Sequence, residues 1–176
     1  MSSNKYNKLD KYSKTSRFIH WLMAVVIMIQ LFLGLWMTWY QQYAYYAWHK
    51  AIGLALFMLV IYRLYWRMIN VSPHLRWLPK WQVWFAKLTH YLLYLAMIVM
   101  PISGWMMSSF AGKNVIFFGV DVTLPLAASQ FGAQLMQLLH RISGYVFLAL
   151  IAIHILAALK HHFWDKDHIL SRMLGQ

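Results

Sequence analysis

The chain has no cysteine, only four acidic residues and 11% charge in all. Without cysteine there is no disulfide, no thioether-attached haem and no cysteine-ligated iron–sulfur cluster. The four acids, Asp10, Asp121, Asp165 and Asp167, all fall outside the long apolar stretches. A proton or cation pathway usually needs carboxylates inside the membrane, so a transporter is disfavoured. No phosphate-binding glycine loop is present, and no Ser/His/Asp set with a buried carboxylate. A soluble domain of this length would carry about 25% charge.

What fills the chain instead is apolar: 61% of its 176 residues are hydrophobic. Crossing a bilayer takes about 20 apolar residues, and four stretches approach or reach that length. They are Phe18–Trp39, Trp48–Trp66, Leu88–Phe110 and Leu135–Leu159. The expected fold is an all-α membrane protein, an up-and-down bundle of four helices forming one domain over residues 1–176. β-barrel spans would be short and alternating, which these are not.

The net charge of +12 is unevenly placed. Lys5, Lys8, Lys11, Lys14 and Arg17 precede the first span. Arg67, Arg76, Lys80 and Lys87 fill the connection between the second and third. Lys160, Lys166 and Arg172 follow the fourth, while Lys50, Lys113 and Arg141 lie at the opposite side. This is a positive-inside pattern, predicting a multi-pass membrane protein with both termini in the cytoplasm. The cations then meet lipid headgroups rather than nucleic acid. The first span resembles a signal peptide, but it is too long for an h-region and no small-residue cleavage pattern follows it.

Trp39, Tyr40, Tyr43, Tyr45, Tyr46 and Trp48 suit a headgroup belt in the first external connection. Pro73, Pro79, Trp77, Trp81 and Trp84 predict a turn and an interfacial segment before the third span. Residues 111–134 predict a loop packed on the bundle mouth, with one short helix. Pro101 is expected to kink the third span.

Histidines carry the chemistry. His140 and His154 lie fourteen residues apart on the fourth span. Fourteen residues return to the same helix face about 21 Å further along. Alternating span direction then sorts the others by depth: His20 joins His154 in an inner layer, and His49 joins His140 in an outer one. A single membrane histidine commonly serves as an interhelical hydrogen-bond partner. Two depth-matched pairs point instead to two haem irons, each with both axial positions filled, an arrangement that favours electron transfer. A four-histidine zinc site would need its ligands at one depth.

The same interval carries His20 to Gly34, His49 to Arg63 and His90 to Gly104. Gly34, Gly53 and Gly144 share the outer depth and give a macrocycle room, though small residues also let membrane helices pack closely. Arg63 shares the face of His49 at inner depth and suits a haem propionate; the alternative is snorkelling to headgroups. His90 could bond a propionate, line a quinone pocket or simply pack. His161 could accept protons at a quinone site, as histidine titrates near neutrality, or belong to a solvated helix end. Arg17 is a further quinone candidate. His74 and His168 read as surface residues.

These residues carry a resemblance over nearly the whole chain. Lys11-Tyr12-Ser13 and Ile19-His20-Trp21 open it. His49-Lys50-Ala51-Ile52-Gly53 with Arg63 follows, then Leu88-Thr89-His90 leading to Pro101 and Gly104. His140 and His154 precede a tail of His161-His162-Phe163, Lys166-Asp167, Leu170 and Arg172-Met173. The set resembles the bacterial cytochrome b561 family, related to the b-type subunits of nickel hydrogenases and formate dehydrogenases. The resemblance implies a four-helix bundle with two non-covalent b haems on His20, His49, His140 and His154. It also implies electron exchange with quinone and, in one branch, oxidation of superoxide at the periplasmic face. The leading expectation is therefore a dihaem electron-transfer protein, a superoxide:ubiquinone oxidoreductase if that branch applies. One alternative is a haem-bearing anchor relaying electrons for a dehydrogenase. The other is a membrane transporter or structural protein without haem.

Overall fold

The computed structural model of the chain describes residues 11–70, 78–167 and 169–175. Lys5, Lys8, Pro73, His74, Arg76, Trp77 and His168 lie outside the described residues. Four helices are long and apolar enough to cross a membrane. They are α1 (Lys14–Tyr40), α2 (Tyr46–Ile69), α3 (Lys80–Phe110) and α4 (Gln130–Phe163). A short α5 (Ile169–Leu174) follows. At about 1.5 Å per residue, the 34-residue α4 extends well past a hydrocarbon core of about 30 Å.

The helix ends lie beyond the predicted spans for identifiable local reasons. Ser13 caps α1, its hydroxyl accepting from the Ser16 amide at 3.1 Å. Ser129 does the same for α4 through the Gly132 amide at 3.0 Å. Pro79 immediately precedes the first turn of α3, so Trp81 and Trp84 are continuous with that span rather than in a separate interfacial piece. The helix runs on through Pro101.

Sequential neighbours α1–α2, α2–α3 and α3–α4 pack directly. The shared core is small: Ile19, Met23 and Ile27 of α1, Val60 of α2, Ala96 of α3 and Phe147 of α4. Most remaining large side chains face outward, as lipid-facing surfaces require. The start of α1, the end of α2, the start of α3 and α5 lie at one end of the bundle, here the terminal end. The connections after α1 and α3 lie at the other, here the hairpin end.

The short helix expected within 111–134 is corrected by the structure. The segment is a two-stranded antiparallel hairpin, β1 (Ile116–Phe117) and β2 (Val120–Asp121), and α4 begins at Gln130. Closely spaced β-branched residues (Val115, Ile116, Val120, Val122) favour strand over helix. The base is tied down at several points. Val115 is buried, Val122 N–H donates to the Val115 carbonyl at 2.9 Å, and Trp105 Nε1 donates to the Val122 carbonyl at 2.8 Å. Lys50 Nζ donates to the Asn114 carbonyl at 2.5 Å. Asp121 accepts from both the amide and the hydroxyl of Thr123, which holds its carboxyl below the usual range.

The two-residue tip has positive φ at both positions, Phe118 (48°) and Gly119 (85°). Asn-Gly suits such a turn; an aromatic there bears a left-handed penalty of about 1 kcal/mol. Phe118 is also 85% exposed and so gains little packing in return. Phe118→Asn should therefore stabilise the hairpin by about 0.5–1 kcal/mol. Slower amide exchange at Val122 would register the gain, and unchanged or faster exchange would refute it.

Candidate haem-binding site

The bundle brings its histidines together in the two layers. At the hairpin end, the rings of His49 (α2) and His140 (α4) have centroids 6.2 Å apart at an interplanar angle of 83°. At the terminal end, His20 (α1) and His154 (α4) are again 6.2 Å apart, at 69°. Two imidazoles bound through ring nitrogens about 2 Å from one metal have centroids about 6 Å apart. Both pairs meet that spacing. All four of these histidines are partly buried.

In the hairpin-end layer each ring lies against a glycine on the neighbouring helix. A Cβ on Gly34 of α1 would come within 3.3 Å of His49 Cε1; one on Gly104 of α3 would come within 3.0 Å of His140 Cε1. His140 Nδ1 lies 2.9 Å from the Met100 carbonyl and 3.2 Å from Ser103 Oγ. That carbonyl also accepts from Ser103 Oγ at 2.9 Å. An Nδ1–H held by a carbonyl leaves Nε2 as the free ligand atom. His49 Nδ1 is buried with no protein partner.

The terminal-end layer is built differently. Arg63 of α2 reaches His20 Nδ1 at 3.2 Å through Nη2. Its Nη1 donates to the Ser16 carbonyl at 3.3 Å, and its Nε to the Tyr94 hydroxyl at 3.3 Å. Among the described residues no carboxylate pairs with it, so a part-buried guanidinium has only neutral partners. It borders a shallow cleft shared with Tyr12, Arg67, Asn70, Tyr94 and Met173. A carboxylate is the natural complement of such a cation. The donor set and the glycine contacts thus fit haem with its propionates.

The other predicted residues occupy separate settings. Gly53 faces the Gln30 amide, and Gly144 faces Met100, whose Cε a Cβ would meet at 3.5 Å. His90 stacks edge-on against His154, centroids 5.4 Å apart, closer than His20. His161 Nδ1 lies 2.7 Å from Asp167 and 3.1 Å from Asp165. Lys160 donates to both oxygens of Asp165, which holds that carboxyl below its ordinary range. Arg17 takes up the space that a side chain on Gly175 would need. Trp21 Nε1 donates to the Met173 carbonyl at 3.2 Å, tying α5 back onto α1. The sequence reading missed Met100, Ser103, Tyr94 and Ser16. It also missed Gln30, whose one signal was an amide within an apolar span.

Comparison with known proteins gives this constellation its context. The family model of prokaryotic cytochrome b561 matches residues 11–176. The chain belongs to the prokaryotic cytochrome b561 family. It is accordingly a multi-pass membrane cytochrome of the b type. Cytochrome b561 homolog 2 of Escherichia coli (strain K12) is 35% identical over 181 residues, covering 97% of this chain and 94% of the relative. Cytochrome b561 homolog 1 of the same organism is 26% identical, covering 94% and 98%. A protein named probable superoxide oxidase CybB, from Yersinia pestis, is 28% identical, covering 93% and 96%.

The glycine contacts make a graded prediction. Gly104→Ala places its methyl against His140 at 3.0 Å, whereas Gly34→Ala meets His49 at 3.3 Å. The first should perturb the low-spin electron paramagnetic resonance signal of one haem more than the second. Equal or reversed effects would show that the glycines do not seat the rings.

Proposed function

We propose that the protein is a dihaem electron-transfer cytochrome of the bacterial inner membrane, exchanging electrons with quinone. In this reading both termini are cytoplasmic, so the hairpin end is the periplasmic, outer side. His49 and His140 are the axial ligands of an outer haem b, His20 and His154 those of an inner one. The observation that carries the reading is the repeated 6.2 Å ring separation at two depths of one bundle. Haem supplies one-electron chemistry when bound. The chain's part is to set the ligand geometry, exclude water and fix the depth of each site.

Arg63 is assigned to an inner propionate, supported by its lack of a protein carboxylate. Gly34 gives the outer site its close approach, with Gly53 and Gly144 one turn beyond each outer ligand. His90, beside His154, and Arg17 and His161, near the cleft and the folded-back α5, are the candidates for quinone contact and proton exchange.

Reduced-minus-oxidised spectroscopy with haem extraction tests the core claim. Two low-spin b haems per chain are expected, and His49→Ala should remove only the outer one. Retention of both, or loss of both, would break the layer assignment.

The electron donor is a separate question. Lys50 and Lys113 lie at the outer mouth, where they favour an anion, and a relative is named a probable superoxide oxidase. These observations support superoxide as donor over an anchoring role for a soluble dehydrogenase. Stopped-flow mixing of the oxidised protein with superoxide should reduce haem and then added ubiquinone. A haem spectrum that superoxide leaves oxidised would favour the relay instead.

A further inference from the structure

The hairpin-end layer contains two buried polar atoms without a hydrogen-bond partner among the described residues: His49 Nδ1 and Gln30 Oε1. One can carry a proton, and the other can only accept one. They belong to facing groups. Gln30 lies one turn before Gly34 on α1, and so on the same helix face. Gly34 is the residue on which the His49 ring rests. The Gln30 amide already reaches α2, its Nε2 donating to the His49 carbonyl at 2.6 Å. Gly53, one turn after His49, makes room for that amide: a Cβ there would meet Nε2 at 3.0 Å. The two glycines therefore form a reciprocal seat, Gly34 for the imidazole of α2 and Gly53 for the amide of α1.

The partner ring shows what the arrangement lacks. His140 has its Nδ1 held by the Met100 carbonyl at 2.9 Å. His49 has no such carbonyl, and an unsatisfied acceptor projects from the side chain bonded to its own backbone. Polar groups inside a membrane span are costly to leave unpaired, and a buried water bridges such a pair readily.

We propose that Gln30 is the positioning residue for His49: its Oε1 accepts a hydrogen bond from His49 Nδ1–H through one buried water, while its Nε2 holds the His49 carbonyl. This rests on the reading of His49 and His140 as ligands of the outer haem. The bond keeps the proton on Nδ1 and leaves Nε2 free for iron. It also makes the imidazole a stronger electron donor, which favours the oxidised metal. Gln30 touches no reacting atom and acts through the histidine.

A redox titration of the full-length haem-loaded protein, followed by absorbance and electron paramagnetic resonance, tests this. Gln30→Leu removes the acceptor and should move the outer haem midpoint to more positive potential, leaving the inner haem unmoved. Gln30→Glu keeps an acceptor and should leave that midpoint at or below the wild-type value, with two haems retained. If the leucine variant loses the outer haem, the glutamate variant still carries the test. An unmoved leucine variant would overturn the assignment, as would an upward shift in both variants or equal shifts of both haems. Absence of an outer haem from the wild-type protein would instead overturn the site reading on which the assignment depends.

Discussion

An imidazole that ligates a metal is oriented, and its donor strength tuned, by the groups that hold the rest of the ring. In this bundle that constraint is met across helices. α4 carries one histidine of each pair, yet it packs closely against α3 rather than against α1 or α2, where the partner rings originate. It meets those helices through its histidines and through the core residue Phe147. The orientation of each ring therefore depends on neighbours that hold its other nitrogen or its flat edge. For His140 these are Met100, Ser103 and Gly104 of α3. For His49 they lie on α1, and for His20 the holding group is Arg63 of α2.

The two layers solve the same problem with different chemistry. The hairpin-end pair is surrounded by neutral oxygen atoms and glycine backbone. The terminal-end pair has a guanidinium, a tyrosine hydroxyl and a third histidine within its shell. A cation close to a metal site stabilises the more reduced, more negative state, and the effect is large where water is excluded. The two histidine pairs therefore sit in unequal electrostatic surroundings.

The histidine layers were legible because a helix of known period turns sequence intervals into depths. Span direction follows from counting, so His20, His49, His140 and His154 sort themselves without knowledge of contacts. Gly34 emerged the same way. Rotation of one helix against another is not encoded in any single period. Gly104 could be placed at the outer depth, but not against His140, and Gly53 could not be recognised as the seat of an amide. His90 was placed at the right depth, yet its closeness to His154 was not foreseen. The hairpin was missed because Val115–Phe118 is a short apolar run, which cannot be distinguished from a helical turn by periodicity alone. Its strand character comes from its β-branched residues together with the bonds of its base to Trp105 and Lys50. Gln30 did carry a signal: a lone amide in an apolar span is costly unless it is used.

That last point extends to the bundle as a whole. In hydrocarbon a polar side chain can bond only to its own helix or to a neighbour. Thr38 takes the first course, its hydroxyl turning back to the Gly34 carbonyl one turn earlier. Gln30, Arg63 and His140 take the second, and each ends at a histidine or at the backbone that seats one. Exclusion of polar groups from the lipid face thus gathers them around the same imidazoles that need holding. The apolar exterior and the ordered ligand shell are two outcomes of one solvent constraint. Polar residues in the spans that bond across helices therefore mark the site, whereas those bonded to their own backbone do not.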